Sequence, residues 1–137
     1  MECISNIIIL EKYPQCSITI KCLIIQNDGG CLSAALTCIS LALVKAQIQM
    51  RDMIISITIE EKYYRSKYEM NTITLGICLN LRTVCFFHGF GSFFNNKTLA
   101  EVIGYAEGAC RSLGCEIKNT LKKYITKDKA GNSTLPS

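Results

Sequence analysis

Two stretches of the chain alternate polar and apolar residues, and a third forms a hairpin. Ser17-Ile18-Thr19-Ile20-Lys21-Cys22 has the period of two that marks a strand with one buried face. Leu23-Ile24-Ile25 then breaks the alternation, as in a strand covered on both sides. Met53 to Ile59 alternates again, setting Ile55, Ile57 and Ile59 against Ser56 and Thr58. Thr72 to Leu79 alternates cleanly, Asn80-Leu81-Arg82 turns, and Thr83 to His88 returns, which predicts a hairpin. Between the first two strands, Leu32 to Ala46 is apolar nearly all round, the pattern of a buried helix. Its exceptions, Ser33, Thr37 and Ser40, recur at helical spacing and form a narrow stripe that another backbone can approach closely. A small domain encloses such a helix with difficulty, so a partner subunit is expected.

The ends are helical. Met1 to Lys12 carries Ile4, Ile7, Ile8 and Leu10 and stops at Tyr13-Pro14, because a residue before proline avoids the helical region. Thr98-Leu99-Ala100-Glu101 predicts a capping box. A long amphipathic helix follows through Val102, Ile103, Ala106, Cys110, Leu113, Ile117 and Leu121. Glu60 to Tyr68 lacks a period and predicts a loop or a poor edge. The expected architecture is α+β, an α/β sandwich of helices on a mixed sheet, with one domain over 1–125 and a basic, disordered tail over 126–137.

Composition narrows the class. At 137 residues, 49% hydrophobic and 19% charged, the chain should fold as one domain. Its net charge of +4 permits an RNA partner without requiring one. Nine cysteines are an odd number without a CxxC pair, and Met1-Glu2-Cys3-Ile4-Ser5-Asn6 lacks the basic start of a signal peptide. Cys22, Cys38, Cys78 and Cys110 sit among apolar residues, where cysteine acts as a small hydrophobe. A reducing compartment is expected. The most apolar stretch, Cys31 to Val44, is too short to span a bilayer, so no membrane partner is expected.

Several segments taken together carry a family resemblance. They are Glu11-Lys12-Tyr13-Pro14, Ser17-Ile18-Thr19-Ile20, Gln26-Asn27-Asp28-Gly29-Gly30, Leu32-Ser33-Ala34-Ala35-Leu36 and Leu41 to Asp52. This resembles the RNase PH family, and within it the exosome ring subunits on the branch of the archaeal catalytic subunit. Glu69-Met70-Asn71 resembles the family's Asp-Met-Asn strand start. The resemblance is specific from Tyr13 to Asp52 and looser to about Ile125. It implies the RNase PH, or ribosomal protein S5 domain 2-like, fold in truncated form, with the family's N-terminal half expected to be lacking. It also implies a phosphate site, where phosphate attacks the RNA end, and an acidic metal site beside it.

The chain departs from the family pattern at both sites. Active members follow Asp-Gly-Gly with Thr-Arg or a similar pair, whereas Asp28, Gly29 and Gly30 precede Cys31 and Leu32 here. Glu69 keeps one carboxylate of the metal site, but Tyr63 (or Lys62) stands at the other. The turn is therefore expected to be a degenerate phosphate site and Glu69 a metal-site remnant, with no catalytic residue, no metal and no cofactor.

Other candidates have plainer explanations. Asp28-Gly29-Gly30 serves as a strand-to-helix turn needing glycine's positive φ. Glu60 and Glu61 lie among Lys62, Arg65 and Lys67 and read as solvated. His88 is the only histidine and reads as structural. Phe86, Phe87, Phe90, Phe93 and Phe94 read as hairpin packing against the long helix. Lys118, Lys122 and Lys123 complement the helix dipole, with contact to RNA or a partner as the sharper reading.

The expectation is a non-catalytic structural subunit of the RNA exosome ring, supporting 3′-to-5′ RNA processing and degradation in the nucleus, nucleolus and cytoplasm. Its partners would be other RNase PH-like ring subunits, with weak, non-sequence-specific RNA contact. The alternatives are an active phosphorolytic 3′-to-5′ exoribonuclease and a degenerate copy without independent function.

Overall fold

The computed structural model describes residues 2–62, 70–91 and 96–131. Strands β1 (Ile54–Lys62), β2 (Met70–Cys78) and β3 (Val84–Phe90) form one antiparallel sheet in the order β1-β2-β3. Helix α1 (Glu2–Ile7) and helix α2 (Cys31–Lys45) precede the sheet, and helix α3 (Asn96–Gly131) follows it. Register sorts the side chains. Ile55 lies opposite Ile77 and Ile57 opposite Leu75, and this face packs Ile55, Leu75 and Ile77 against Ala106 and Cys110 of α3. On the other face Ile54 and Cys78 meet Leu36, Ile39 and Leu43 of α2, with Ile4, Ile7 and Ile8 closing the cluster. Each of the fully buried Leu36, Ile55, Leu75 and Ile77 contributes about 1.5–3 kcal/mol by leaving water.

The small polar stripe of α2 does what its spacing predicts. Ser40 Oγ accepts from Ile54 N at 3.0 Å. Thr37 Oγ1 accepts from Ser56 N at 3.1 Å and donates to Ser56 O at 3.3 Å. These are the β1 backbone groups not engaged with β2, so α2 lies along the outer edge of β1. Contacts of Ser33 with Thr58, Thr37 with Ser56 and Ser40 with Ile54 show that α2 runs antiparallel to that strand.

Edge coverage explains two differences from the sequence expectations. The sheet is antiparallel, not mixed, because Ser17–Cys22 is not a strand: residues 17–24 have no regular secondary structure and join no ladder. The α2 hydroxyls occupy the start of the outer edge of β1, so this segment does not pair there. Helix α2 is also not enclosed on every side, since Ala34, Cys38, Ala42 and Lys45 face outward.

Smaller differences follow. Strand β1 continues through Glu60 and Glu61 to Lys62, into the segment expected to be loop. Helix α3 starts at Asn96, which places Thr98 inside it rather than at its cap, and it continues past Thr126 to Gly131. Phe86 packs beside the α2 cluster, but Phe87 and Phe90 are exposed on the edge strand. Phe93 and Phe94 lie outside the described residues.

Candidate functional site

The turn before α2 forms one end of the sandwich. Gly29 and Gly30 have φ of 91° and 62°, both in the left-handed region that glycine enters without a steric cost. Gly29 N donates to Asn27 Oδ1 at 3.3 Å. A side chain at Gly29 would also collide with Glu60, whose Oε1 lies 2.7 Å from where a Cβ would stand. The backbone conformation therefore calls for glycine there, while Glu60, a flexible exposed side chain, can move aside.

Hydroxyls tie this turn to the sheet. Ser33 Oγ donates to Gly30 O at 2.7 Å, Thr58 Oγ1 donates to Ser33 Oγ at 3.0 Å, and Thr58 and Thr74 share a bond of 2.9 Å. Thr74 in turn stands opposite His88 in the register, and His88 is exposed. No side chain caps α2. The first N–H groups of the helix therefore remain for water or an anion, with the positive end of the helix dipole behind them. Glu60, from β1, sets a carboxylate against the same turn.

The expected site residues separate accordingly. Asp28, Gly29, Gly30, Cys31 and Leu32 are together at this end, with Asp28 and Leu32 exposed and Cys31 half-buried. Glu69 and Tyr63 lie outside the described residues. Lys118, Lys122 and Lys123 are at the far end: Lys118 Nζ donates to Asn80 Oδ1, while Lys122 and Lys123 are exposed.

Sequence reasoning passed over Asp52. Its buried carboxylate accepts from Met53 N at 2.7 Å, Asn80 N at 2.7 Å, Asn80 Nδ2 at 2.8 Å and Leu81 N at 2.8 Å. It fastens the β2–β3 turn to the start of β1. A lone aspartate before an apolar strand was the available signal, but its partners lie 28 and 29 residues away.

Burial also sets the thiols. It pushes Cys85 up to about 12, helped by neighbouring Cys78, and Cys110 up to about 11. Neither is a nucleophile at neutral pH, because the thiolate is the reactive form.

Comparison with known proteins agrees with this arrangement. Residues 1–49, which include α1, the segment 17–25, the turn and α2, match the model of the 3′ exoribonuclease family, domain 1. The exosome complex component Rrp41 of Nitrosopumilus maritimus is 41% identical over 56 residues, covering 41% of this chain and 23% of that protein. The protein of the same name from Pyrobaculum islandicum is 27% identical over 135 residues, covering 91% of this chain and 54% of that protein. The chain thus spans about half the length of the Pyrobaculum islandicum protein and about a quarter of the Nitrosopumilus maritimus one.

One expectation is corrected here. The departure at Cys31-Leu32 suggested a chain that is not an enzyme, yet the matched region of the 3′ exoribonuclease family includes that very turn. The physical reason is that backbone amides at a helix start hold anions whatever side chains stand there, so Leu32 does not by itself remove the site. By sequence the chain is thus similar to domain 1 of the 3′ exoribonuclease family over residues 1–49, and more loosely along most of its length to archaeal exosome complex components named Rrp41.

Proposed function

We propose that this chain is a component of an exosome-type ring working in 3′-to-5′ RNA processing and degradation, and that the segment 17–25 docks it to neighbouring RNase PH-like chains. The supporting observation is the state of that segment. It has no regular secondary structure, with Leu23 87% and Ile25 93% exposed. Among the described residues no backbone hydrogen bond engages it. A hydrophobic strand with free N–H and C=O groups is a template for pairing with another chain. Beneath it lies an open hollow of about 280 Å³ lined by Ile4, Ile8, Leu10, Ile18 and Ile20. Covering Leu23, Ile24 and Ile25 would contribute about 1.5–3 kcal/mol per side chain. The nine free thiols fit a reducing compartment, cytoplasm or nucleus.

Co-expression with identified RNase PH-like ring chains, followed by affinity purification and light scattering, tests this reading. The wild-type chain is expected in a stoichiometric complex. A Leu23→Lys/Ile25→Lys variant should leave the complex with its thermal unfolding unchanged, because those side chains are already in water. A wild type that stays alone, or a variant that still assembles, overturns the proposal.

A second reading is favoured by the uncapped amides of α2 beside Glu60. In it the assembled complex shortens RNA by phosphorolysis at this turn. Phosphate-dependent release of nucleoside diphosphates is the expected signal, and its absence from the assembled complex overturns this reading.

A further inference from the structure

The end of the sandwich opposite the Gly29-Gly30 turn collects positive charge from several segments. Because α2 runs antiparallel to β1, Lys45 in its last turn lies where β1 begins. Arg51 lies in the connection just before that strand, and Arg82 lies in the β2–β3 turn. Asp52 binds that turn through Asn80 and Leu81, and Lys118 reaches Asn80 from α3. Lys122 and Lys123 follow one turn further on. Lys45, Arg51, Arg82, Lys122 and Lys123 are exposed, and Lys118 is half-buried.

The acids present there neutralise little of this charge. The Asp52 carboxylate is buried and occupied by four N–H donors. Glu11 pairs with Arg51 at 3.8 Å, and Glu116 is exposed on α3. The helix dipole accounts for Lys45, at the end of α2. It does not account for Lys118, Lys122 and Lys123, because α3 continues to Gly131 and the dipole acts only within the last turn. A helix of 36 residues is about 54 Å long, far longer than the 9-residue strands beneath it, and it continues beyond Leu121, the last of its side chains that packs against the core. Tyr124, 57% exposed, stands beside Lys123 on that extension.

We propose that this basic end binds the backbone of single-stranded RNA without reading its bases. Several cations on separate rigid elements suit a chain of phosphates, and an exposed aromatic among them suits an unpaired base. The inference rests on the RNA-directed reading above, but it concerns a surface at the other end of the fold from the Gly-Gly turn.

The test is fluorescence anisotropy of a labelled single-stranded RNA oligomer with the full chain, in whatever complex it purifies, between 50 and 300 mM salt. Each phosphate contact adds about 0.7 to the slope of log affinity against log salt for a single strand. The Lys122→Gln/Lys123→Gln variant should bind more weakly at low salt, with a slope shallower by about 1.4. Arg82→Gln, on a different element, should lower the slope by about 0.7. The charge-keeping Lys122→Arg/Lys123→Arg variant should bind like the wild type. An unchanged slope in the glutamine variants overturns the proposal, as does a wild type that binds poly-glutamate but not RNA. If ring assembly fails while the slopes shift as stated, the docking proposal falls and this one stands. If assembly forms and the slopes do not move, the reverse holds.

Discussion

Replacing Asp52 probes the strongest polar junction in the fold. Its carboxylate accepts four hydrogen bonds of 2.7–2.8 Å and is 5% exposed. A hydrogen bond to a charged group contributes about 1.5–3 kcal/mol, and a buried donor left without a partner costs about 1–3 kcal/mol. Asn80 and Leu81 are only partly buried, so water can recover part of their loss. Asp52→Ala should therefore cost about 3–5 kcal/mol, a large share of the 5–15 kcal/mol that holds a typical domain together. At about 2–8 °C per kcal/mol for domains around this size, the unfolding midpoint should fall by at least roughly 6 °C. Asp52→Asn keeps the shape and one acceptor but turns an amide NH2 toward N–H donors, so it should lie between the wild type and alanine. Lys118→Met, which touches the network only through exposed Asn80, should cost under about 1 kcal/mol. Urea unfolding followed by circular dichroism measures all three. If Asp52→Ala costs less than about 1 kcal/mol, the carboxylate does not hold the β2–β3 turn, and the assembly of the basic end around it is wrong.

Four further outcomes are expected. Thr37→Val removes both the acceptor for Ser56 N and the donor to Ser56 O at nearly constant volume, so it should destabilise by about 1–3 kcal/mol in the same unfolding assay. Ala42→Ser, on the exposed face of α2, should be near neutral. Gly29→Ala should cost about 1–2 kcal/mol from its φ of 91° together with the approach to Glu60; adding Glu60→Ala should recover only the part due to crowding, which a double-mutant cycle reads directly. The raised Cys110 thiol sets a pH dependence: its folded value of about 11 lies above the ordinary 9.0, so its contribution is complete below pH 9 and is lost as pH rises toward 11. Cys110→Ala should be less stable at neutral pH, because Cys110 is fully buried, yet should show a shallower decline of the unfolding midpoint between pH 9 and 11.

Local pattern determined much of this protein. The alternation of Ile55, Ile57 and Ile59 with Ser56 and Thr58 specifies a strand whose two faces meet different neighbours, because successive side chains point to opposite sides. The spacing of Ser33, Thr37 and Ser40 specifies a helix face made for close approach, and Asp28-Gly29-Gly30 specifies a turn with positive φ. These properties depend on residues within a few positions of one another.

Only the tertiary structure decided what those elements meet. Ser17–Cys22 has the pattern of a strand but joins no ladder, since the alternation fixes a local preference and not a partner, and α2 already covers the start of β1. The role of Asp52, the placing of Glu60 against Gly29 and the gathering of Lys45, Arg51 and Arg82 with the α3 lysines all join residues far apart in the chain. Such pairings cost loop entropy and are chosen by the packing of the whole domain, so no short window of sequence contains them.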